Sequence, residues 1–229
     1  MTSSFDKETI DKQATDKPAT LIGIVGYSAI MDSYPLGPPL MTGLETALAD
    51  APNVTIENFT WSPVHIVQRF ENDEMPKPDR MVLIGLSATT TNPGNVTACQ
   101  WHGGKATELA VQERVYEAVT GIVDLENTLM IGEYFKAWPT ECFTVEADMQ
   151  PNTFGRLVMA DSEGWGKDEN ALKEHLGFSP DEQRQRIISM AEDIARNGEN
   201  TSTVLNKKSA ESLTPVQPFI QNHAVSQKG

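Results

Sequence analysis

The sequence predicts an α/β domain with a largely parallel sheet that helices cover on both faces. The first observation is that short apolar runs alternate with amphipathic segments along the chain. The second is that Leu21–Gly26 is a short continuous apolar run, as is typical of strands buried on both faces, and that Arg80–Leu86 is the clearest strand of the sequence. In such folds the site lies at the carboxyl ends of the strands, here the loops 26–37, 59–62 and 85–94.

Local patterns predict the individual elements. Leucines recur every fourth residue from position 36 to 48, a spacing typical of one helix face. Ser179 stands before Pro180, with Glu182 three positions after the serine, a capping-box arrangement that begins the last helix. The other predicted strands are Val54–Phe59, Val96–Gln100, Leu129–Ile131 and Cys142–Val145, and the predicted helices are 36–49, Pro63–Phe70, Thr107–Thr120 and Pro180–Ala195.

Composition excludes several classes of partner. The chain of 229 residues has 18 Lys and Arg against 32 Asp and Glu, a net charge of −14. This charge argues against nucleic acid and against an anionic membrane, since both require a basic face. The sequence contains no secretory signal and no apolar run long enough to span a membrane, so we expect a cytoplasmic protein. Cys99 and Cys142 lack the spacing of a metal or redox pair, and we expect both to be buried.

Polar segments bound the predicted domain. Residues 1–18 are polar and charged, and predict a disordered N-terminal arm. Residues 199–229 are rich in Ser, Thr, Asn, Gln and Lys, and predict a flexible tail. The predicted domain is therefore 19–198. Within the tail, Val216-Gln-Pro-Phe-Ile220 is an apolar island, which fits either a docking motif or an isolated cluster.

The loop after the first strand matches none of the general site motifs. The dinucleotide fingerprint G-x-G-x-x-G fails because no glycine follows Gly26 until Gly37. A phosphate loop, G-x-x-x-x-G-K-[ST], is absent. The nucleophile elbow G-x-S-x-G also fails, because no glycine closes the sequence Gly26-Tyr-Ser28.

A different match covers residues 20–197 in order. Gly26, Asp32 and Gly37 follow the first strand and precede a helix, with about one extra residue in the loop. Three later segments continue the match: Leu83-Ile-Gly-Leu-Ser-Ala followed by Asn92-Pro-Gly-Asn-Val96, Cys142-Phe-Thr-Val-Glu-Ala147, and Phe178-Ser-Pro-Asp181. Together they resemble the hydrogenase maturation protease family, which trims the C-terminus of the nickel–iron hydrogenase large subunit. The resemblance implies a three-layer α/β/α fold that binds the nickel-loaded precursor.

The same resemblance implies an altered metal site. In the family, an acidic residue of the first loop, an aspartate after the third strand and a histidine at the next helix sense the metal. Here Asp32 keeps the first position, but Gly85 falls at the second. The helix 107–120 has no histidine, and Val111 or Gln112 stands near the third position.

Other residues offer a rebuilt metal site. Asp32, His102 and Glu146 supply the carboxylate and imidazole ligands that nickel and zinc bind. The alternative is that all three are surface or capping residues. The sequence therefore assigns no cofactor, and nickel or zinc are the metals to test.

Candidate partner-binding residues come from the same loops. Trp61 and Trp101 are expected at the strand-end crevice, beside Ser87 and Thr89. Aromatic side chains in a crevice anchor ligands or peptides, although packing beneath a loop is an equal alternative.

Three functions remain open from the sequence. The first is a protein that binds a hydrogenase large subunit or related partner and assists its C-terminal processing, with Asp32 as the surviving carboxylate if peptidase activity persists. The second is a non-catalytic protein- or ligand-binding module on the same fold. The third is a different α/β enzyme, in which the loop Ser87–Thr91 binds an anion.

Overall fold

The computed structural model describes residues 17–121 and 123–215, which form a six-stranded sheet with helices on both faces. The predicted three-layer α/β/α fold is confirmed. The strands are β1 Thr20–Ile24, β2 Val54–Asn58, β3 Arg80–Leu86, β4 Val96–Trp101, β5 Glu141–Ala147 and β6 Leu205–Lys208. The helices are α1 Pro38–Ala47, α2 Pro63–Glu71, α3 Glu108–Val119, α4 Leu125–Tyr134, α5 Thr153–Ser162, α6 Glu169–Leu176 and α7 Pro180–Asn197.

The strands lie in the order β2-β1-β3-β5-β4-β6, and β4 runs antiparallel to β5. Val96 lies opposite Ala147, and Trp101 lies opposite Cys142. The loop 87–95 between β3 and β4 is too short for a parallel crossover, which needs about a dozen residues or more. Strand β4 therefore begins at the edge where β1, β2, β3 and β5 end, here called the carboxyl edge, and ends at the opposite edge.

Alternate residues of the central strands supply two hydrophobic cores. Ile22 and Val82 face the layer that contains α1, α5, α6 and α7. Leu21 and Leu83 face the layer that contains α2 and α4. Helix α3 packs on α2 and α4 through a small cluster that includes Ala118, so it lies on the outside of the second layer.

The predicted strand Leu129–Ile131 is wrong, because these residues lie inside α4. The Asp124 carboxylate accepts a hydrogen bond from the Asn127 amide at 2.7 Å and caps the helix. A short apolar run occurs both in buried strands and in buried helices, so it does not distinguish the two. Residues 125–132 are all buried, so the apolar run indicated burial and not extended backbone.

Strand β6 lies in the segment predicted as a flexible tail, so the prediction is wrong for residues 205–208. The turn before it is held by Asp193 of α7. One oxygen of this carboxylate accepts hydrogen bonds from the hydroxyls of Thr201 and Ser202 and from the Thr203 amide. The chain is thereby directed back along β4. Residues 1–16, 122 and 216–229, including the island 216–220, lie outside the described residues.

The same contacts set the ionisation of Asp193. Burial alone would raise the pKa of this carboxyl, but hydrogen bonds from Ser202, Thr201, Asn197 and Thr203 hold the pKa well below its usual range. The carboxylate therefore stays charged at neutral pH and keeps these contacts.

Substitution of Gly132 tests the packing of α4. A Cβ at this position would lie 1.9 Å from the Trp138 ring, so we expect Gly132→Ala to lower the free energy of unfolding by about 1–3 kcal/mol or more. Gly155→Ala in α5 is the matched control, because nothing lies within 4 Å of its Cβ. The control should gain roughly 0.5–1 kcal/mol from helix propensity. Urea unfolding measures both, and equal effects would contradict the tight contact.

Candidate functional site

Exposed apolar side chains follow β1 and β2 and end β3, three neighbouring strands of the sheet. Ile30 follows β1 and is 86% exposed, Trp61 follows β2 and is 59% exposed, and Leu86 ends β3 and is 38% exposed. Ser87 and Thr89 extend this surface from the loop after β3. We call these five residues the carboxyl-edge surface. Because ligands of open α/β sheets bind at this edge, it is the candidate site.

Backbone contacts hold the three loops in place. The Val25 amide donates to the Ile84 carbonyl at 2.8 Å, and the Phe59 amide donates to the Ile24 carbonyl at 2.8 Å. The Ser87 amide donates to the Ala147 carbonyl at 2.9 Å. The hydrogen bonds between strands thus continue into the first residue of each loop. They fix the start of the three loops that carry the carboxyl-edge surface.

The loop after β3 is held further by Asp148, which follows β5. One oxygen of its buried carboxylate accepts hydrogen bonds from the amides of Thr91 and Asn92, at 2.9 and 2.6 Å, and from the Thr91 hydroxyl. The Thr90 hydroxyl donates to the Met149 carbonyl at 2.7 Å. These two hydroxyls point inward and leave few donors for an anion, which weakens the interpretation as an anion-binding enzyme.

Asp32 lies on the surface in the loop between β1 and α1. Its backbone carbonyl accepts a hydrogen bond from the Arg184 guanidinium at 2.8 Å, which fixes the loop against α7. The residue lines an open groove of about 660 Å³ between α1 and α7, beside Gly43 and Ile188. The predicted carboxylate is therefore accessible, although its neighbours in this groove are mainly small or apolar.

Gly85 lies where the family resemblance implies an aspartate, and a side chain at this position would press against Leu125. A Cβ at this position would lie 3.0 Å from the Leu125 Cβ. Leu125 opens α4 and is buried in the same core as Val111, which stands near the expected histidine. The two positions at which the resemblance implies an aspartate and a histidine are therefore in contact with, or part of, one apolar cluster.

Glu146 is part of a buried ion network. Its carboxylate accepts hydrogen bonds from the Lys208 ammonium at 2.8 and 2.9 Å and from the Thr144 hydroxyl at 2.7 Å. The same ammonium lies 3.8 Å from Glu126, which pairs with Arg114 at 3.1 Å. We call Arg114, Glu126, Glu146 and Lys208 the buried ion network. Its two cations balance its two carboxylates, so Glu146 already has its charge partner.

The other predicted residues lie at the opposite edge, because β4 is antiparallel. His102 follows the end of β4, and its amide donates to the Lys208 carbonyl at 2.9 Å. Trp101 is 4% exposed, and its indole Nε1 donates to the Glu133 carboxylate at 2.9 Å. The expectation that Trp101 lines the strand-end crevice is therefore wrong, and the structure favours packing.

The predicted ligands Asp32, His102 and Glu146 do not form one cluster. In residues 17–121 and 123–215, no group of three His, Cys, Asp or Glu side chains could hold a metal ion. The cysteines offer no substitute, since burial raises the pKa of Cys99 to about 11 and raises that of Cys142 as well. The described residues therefore provide no ready metal centre.

Sequence reasoning identified Trp61, Ser87 and Thr89 at this edge and missed Ile30 and Leu86. Ile30 gave no distinct signal, because Met31 follows it directly and is buried, so the sequence does not show which of the two faces solvent. Leu86 gave no such signal, because it continues the apolar run of β3 and only the pairing of the strands shows where burial stops.

No protein-family model, curated protein or solved structure matches the chain. Among the described helices, none combines the length and the apolar character needed to cross a membrane.

Substitution of Lys208 tests whether Glu146 is a structural ion-pair partner. Lys208→Met leaves two buried carboxylates without their ammonium, so we expect a loss of about 3–5 kcal/mol in the free energy of unfolding. Lys207→Met is the matched control on the exposed side of β6, with an expected change within about 0.5 kcal/mol. Urea unfolding is measured with and without Zn(II). A gain in the stability of the unsubstituted chain with zinc, lost in Glu146→Gln, would instead identify Glu146 as a metal ligand.

Proposed function

We propose that this chain is a protein-binding module that lacks metal-dependent peptidase chemistry and uses the carboxyl-edge surface to hold its partner. The observation that carries the proposal is the exposure of Leu86 at the end of β3, and of Ile30 and Trp61 in the loops that follow the neighbouring strands β1 and β2. Large apolar side chains at one place on a surface favour association, because burial removes them from water.

The chemistry of the surface fits a protein partner. Trp61 offers a large anchor, and its ring lies edge to face with His65, with ring centroids 6.1 Å apart. Ser87 and Thr89 add polar groups at the rim of the apolar patch. Because the loops are already held by the sheet and by Asp148, little ordering is needed on binding.

The absence of peptidase chemistry rests on the position of Gly85. A side chain there meets Leu125, so the position that resembles a family ligand carries apolar packing. Asp32 remains exposed, which keeps the metal-dependent peptidase as the second candidate. The resemblance to hydrogenase maturation proteases also suggests the first partner to test, the unprocessed large subunit of a nickel–iron hydrogenase. The module would bind this subunit and assist its C-terminal processing without cutting it.

Metal titration separates the two candidates. We expect calorimetry with Ni(II) and with Zn(II) to give no tight one-to-one binding to the full chain, because the ligands do not converge. Asp32→Ala and His102→Ala should then leave the heats unchanged. Tight binding that either substitution removes would establish a metal site and favour the peptidase.

Partner binding tests the carboxyl-edge surface. We expect the full chain to form a complex with the unprocessed hydrogenase large subunit, and Trp61→Ala to weaken it at least tenfold, about 1.4 kcal/mol. Leu86→Ala should also weaken it, whereas Val204→Ala, an exposed aliphatic control, should not. Biolayer interferometry measures the affinities, and mass spectrometry checks that the subunit stays uncut.

Each other outcome has a distinct meaning. Cleavage of the subunit would overturn the non-catalytic proposal. Binding that is unaffected by Trp61→Ala and Leu86→Ala would place the partner elsewhere on the surface. Failure to form any complex would reject the hydrogenase large subunit as the partner.

A further inference from the structure

A second apolar surface lies between α3 and α4, away from the carboxyl edge. Its volume is about 540 Å³, within the range of ligand pockets. We call it the α3–α4 groove and define it by the side chains that give it its apolar character. These are Val111, Val115, Tyr116, Val119, Tyr134 and Phe135.

The groove is exposed and carries aromatic rings. Tyr116 and Val119 are 57% and 73% exposed on α3. Tyr134 and Phe135 lie at the end of α4, with ring centroids 5.2 Å apart in an edge-to-face arrangement. Contiguous exposed residues of this kind are typical of a surface that another segment covers.

The described part of the chain ends on the same two helices. The Thr214 amide donates to the Glu126 carboxylate at 2.9 Å, and the Arg114 guanidinium donates to the Thr214 carbonyl. Leu213 is buried in the core cluster that contains Val111. Because Arg114 stands one helical turn from Val111, the chain after Thr214 starts beside the groove.

The remaining chain is long enough to cover the groove. Fourteen residues follow Pro215, and fully extended they span about 46 Å. Helix α3 has 12 residues and is about 18 Å long. No part of the groove is therefore beyond the reach of residues 216–229.

The composition of this segment complements the groove. Its first five residues, Val216-Gln-Pro-Phe-Ile220, form the apolar island, including Phe219. In a chain of net charge −14, residues 216–229 contain no Asp or Glu, and Lys228 is their one charged side chain. Helix α3, by contrast, carries Glu108 at the groove together with Glu113 and Glu117. An acidic partner segment would meet repulsion here, and this segment does not.

We propose that residues 216–220 bind the α3–α4 groove of their own chain, with Phe219 and Ile220 packed against its valines and aromatic rings. The contacts at Thr214 deliver the segment to the groove, and its apolar side chains cover the exposed faces of α3 and α4. This intramolecular contact is independent of the partner proposed for the carboxyl edge.

Disulfide trapping in the full chain tests the contact. Gln112→Cys places a thiol in the groove, and Gln221→Cys places one directly after the island. The natural cysteines are buried and compete little. At low protein concentration and mild oxidation we expect an intramolecular disulfide.

Adding Phe219→Ser and Ile220→Ser should slow the formation of this disulfide at least fivefold, whereas the matched pair Ala224→Ser and Val225→Ser should not.

A second thiol position shows whether the effect belongs to the groove. Ser162→Cys lies on α5, in the other helix layer, so with Gln221→Cys it reports on the released segment, and the island substitutions should not slow this disulfide. If they fail to slow the 112–221 disulfide, the proposal is overturned. Linked dimers whose rate rises with protein concentration would also overturn it, and would assign the groove to a second copy of the chain.

Discussion

The Lys208 ammonium between Glu146 and Glu126 is the interaction on which much of this structure depends. It joins the last described strand to β5 and, through Glu126 and Arg114, to α3 and α4. Buried charges are stable only when paired, so these side chains specify how the elements meet. The pairing also directs residues 209–214 across the helices to Thr214. It explains why a glutamate at the end of an internal strand has a structural role here.

The parts of the fold that depend on local signals could be predicted from the sequence. Strands β1 and β3 are apolar after their first residues, Thr20 and Arg80, and α7 begins where Ser179 caps it, with the serine hydroxyl 3.1 Å from the Glu182 amide. Strand β6 could not be predicted in this way. Its sequence, Leu205-Asn-Lys-Lys208, is polar and gives no apolar strand signal. The strand forms because it pairs with β4 and because Lys208 joins the buried ion network.

The candidate site depended more on non-local geometry. Trp61 follows β2, which runs parallel to β1, so its place at the carboxyl edge could be predicted. Trp101 and His102 lie at the other edge because β4 inserts beside β5 in the reverse direction, which is a property of the whole sheet. The contact between Gly85 and Leu125 joins residues forty positions apart, and no local pattern indicates it.

The outermost strand has a consequence for how this molecule meets others. Free strand edges invite pairing with a further chain, and short, lysine-bearing edges discourage it. Strand β6 is four residues long, and Lys207 stands exposed on it. The sheet therefore presents a poor template on this side for the growth of intermolecular β-structure. A protein with an exposed apolar carboxyl-edge surface is in this way protected from strand pairing at the β6 edge of its sheet.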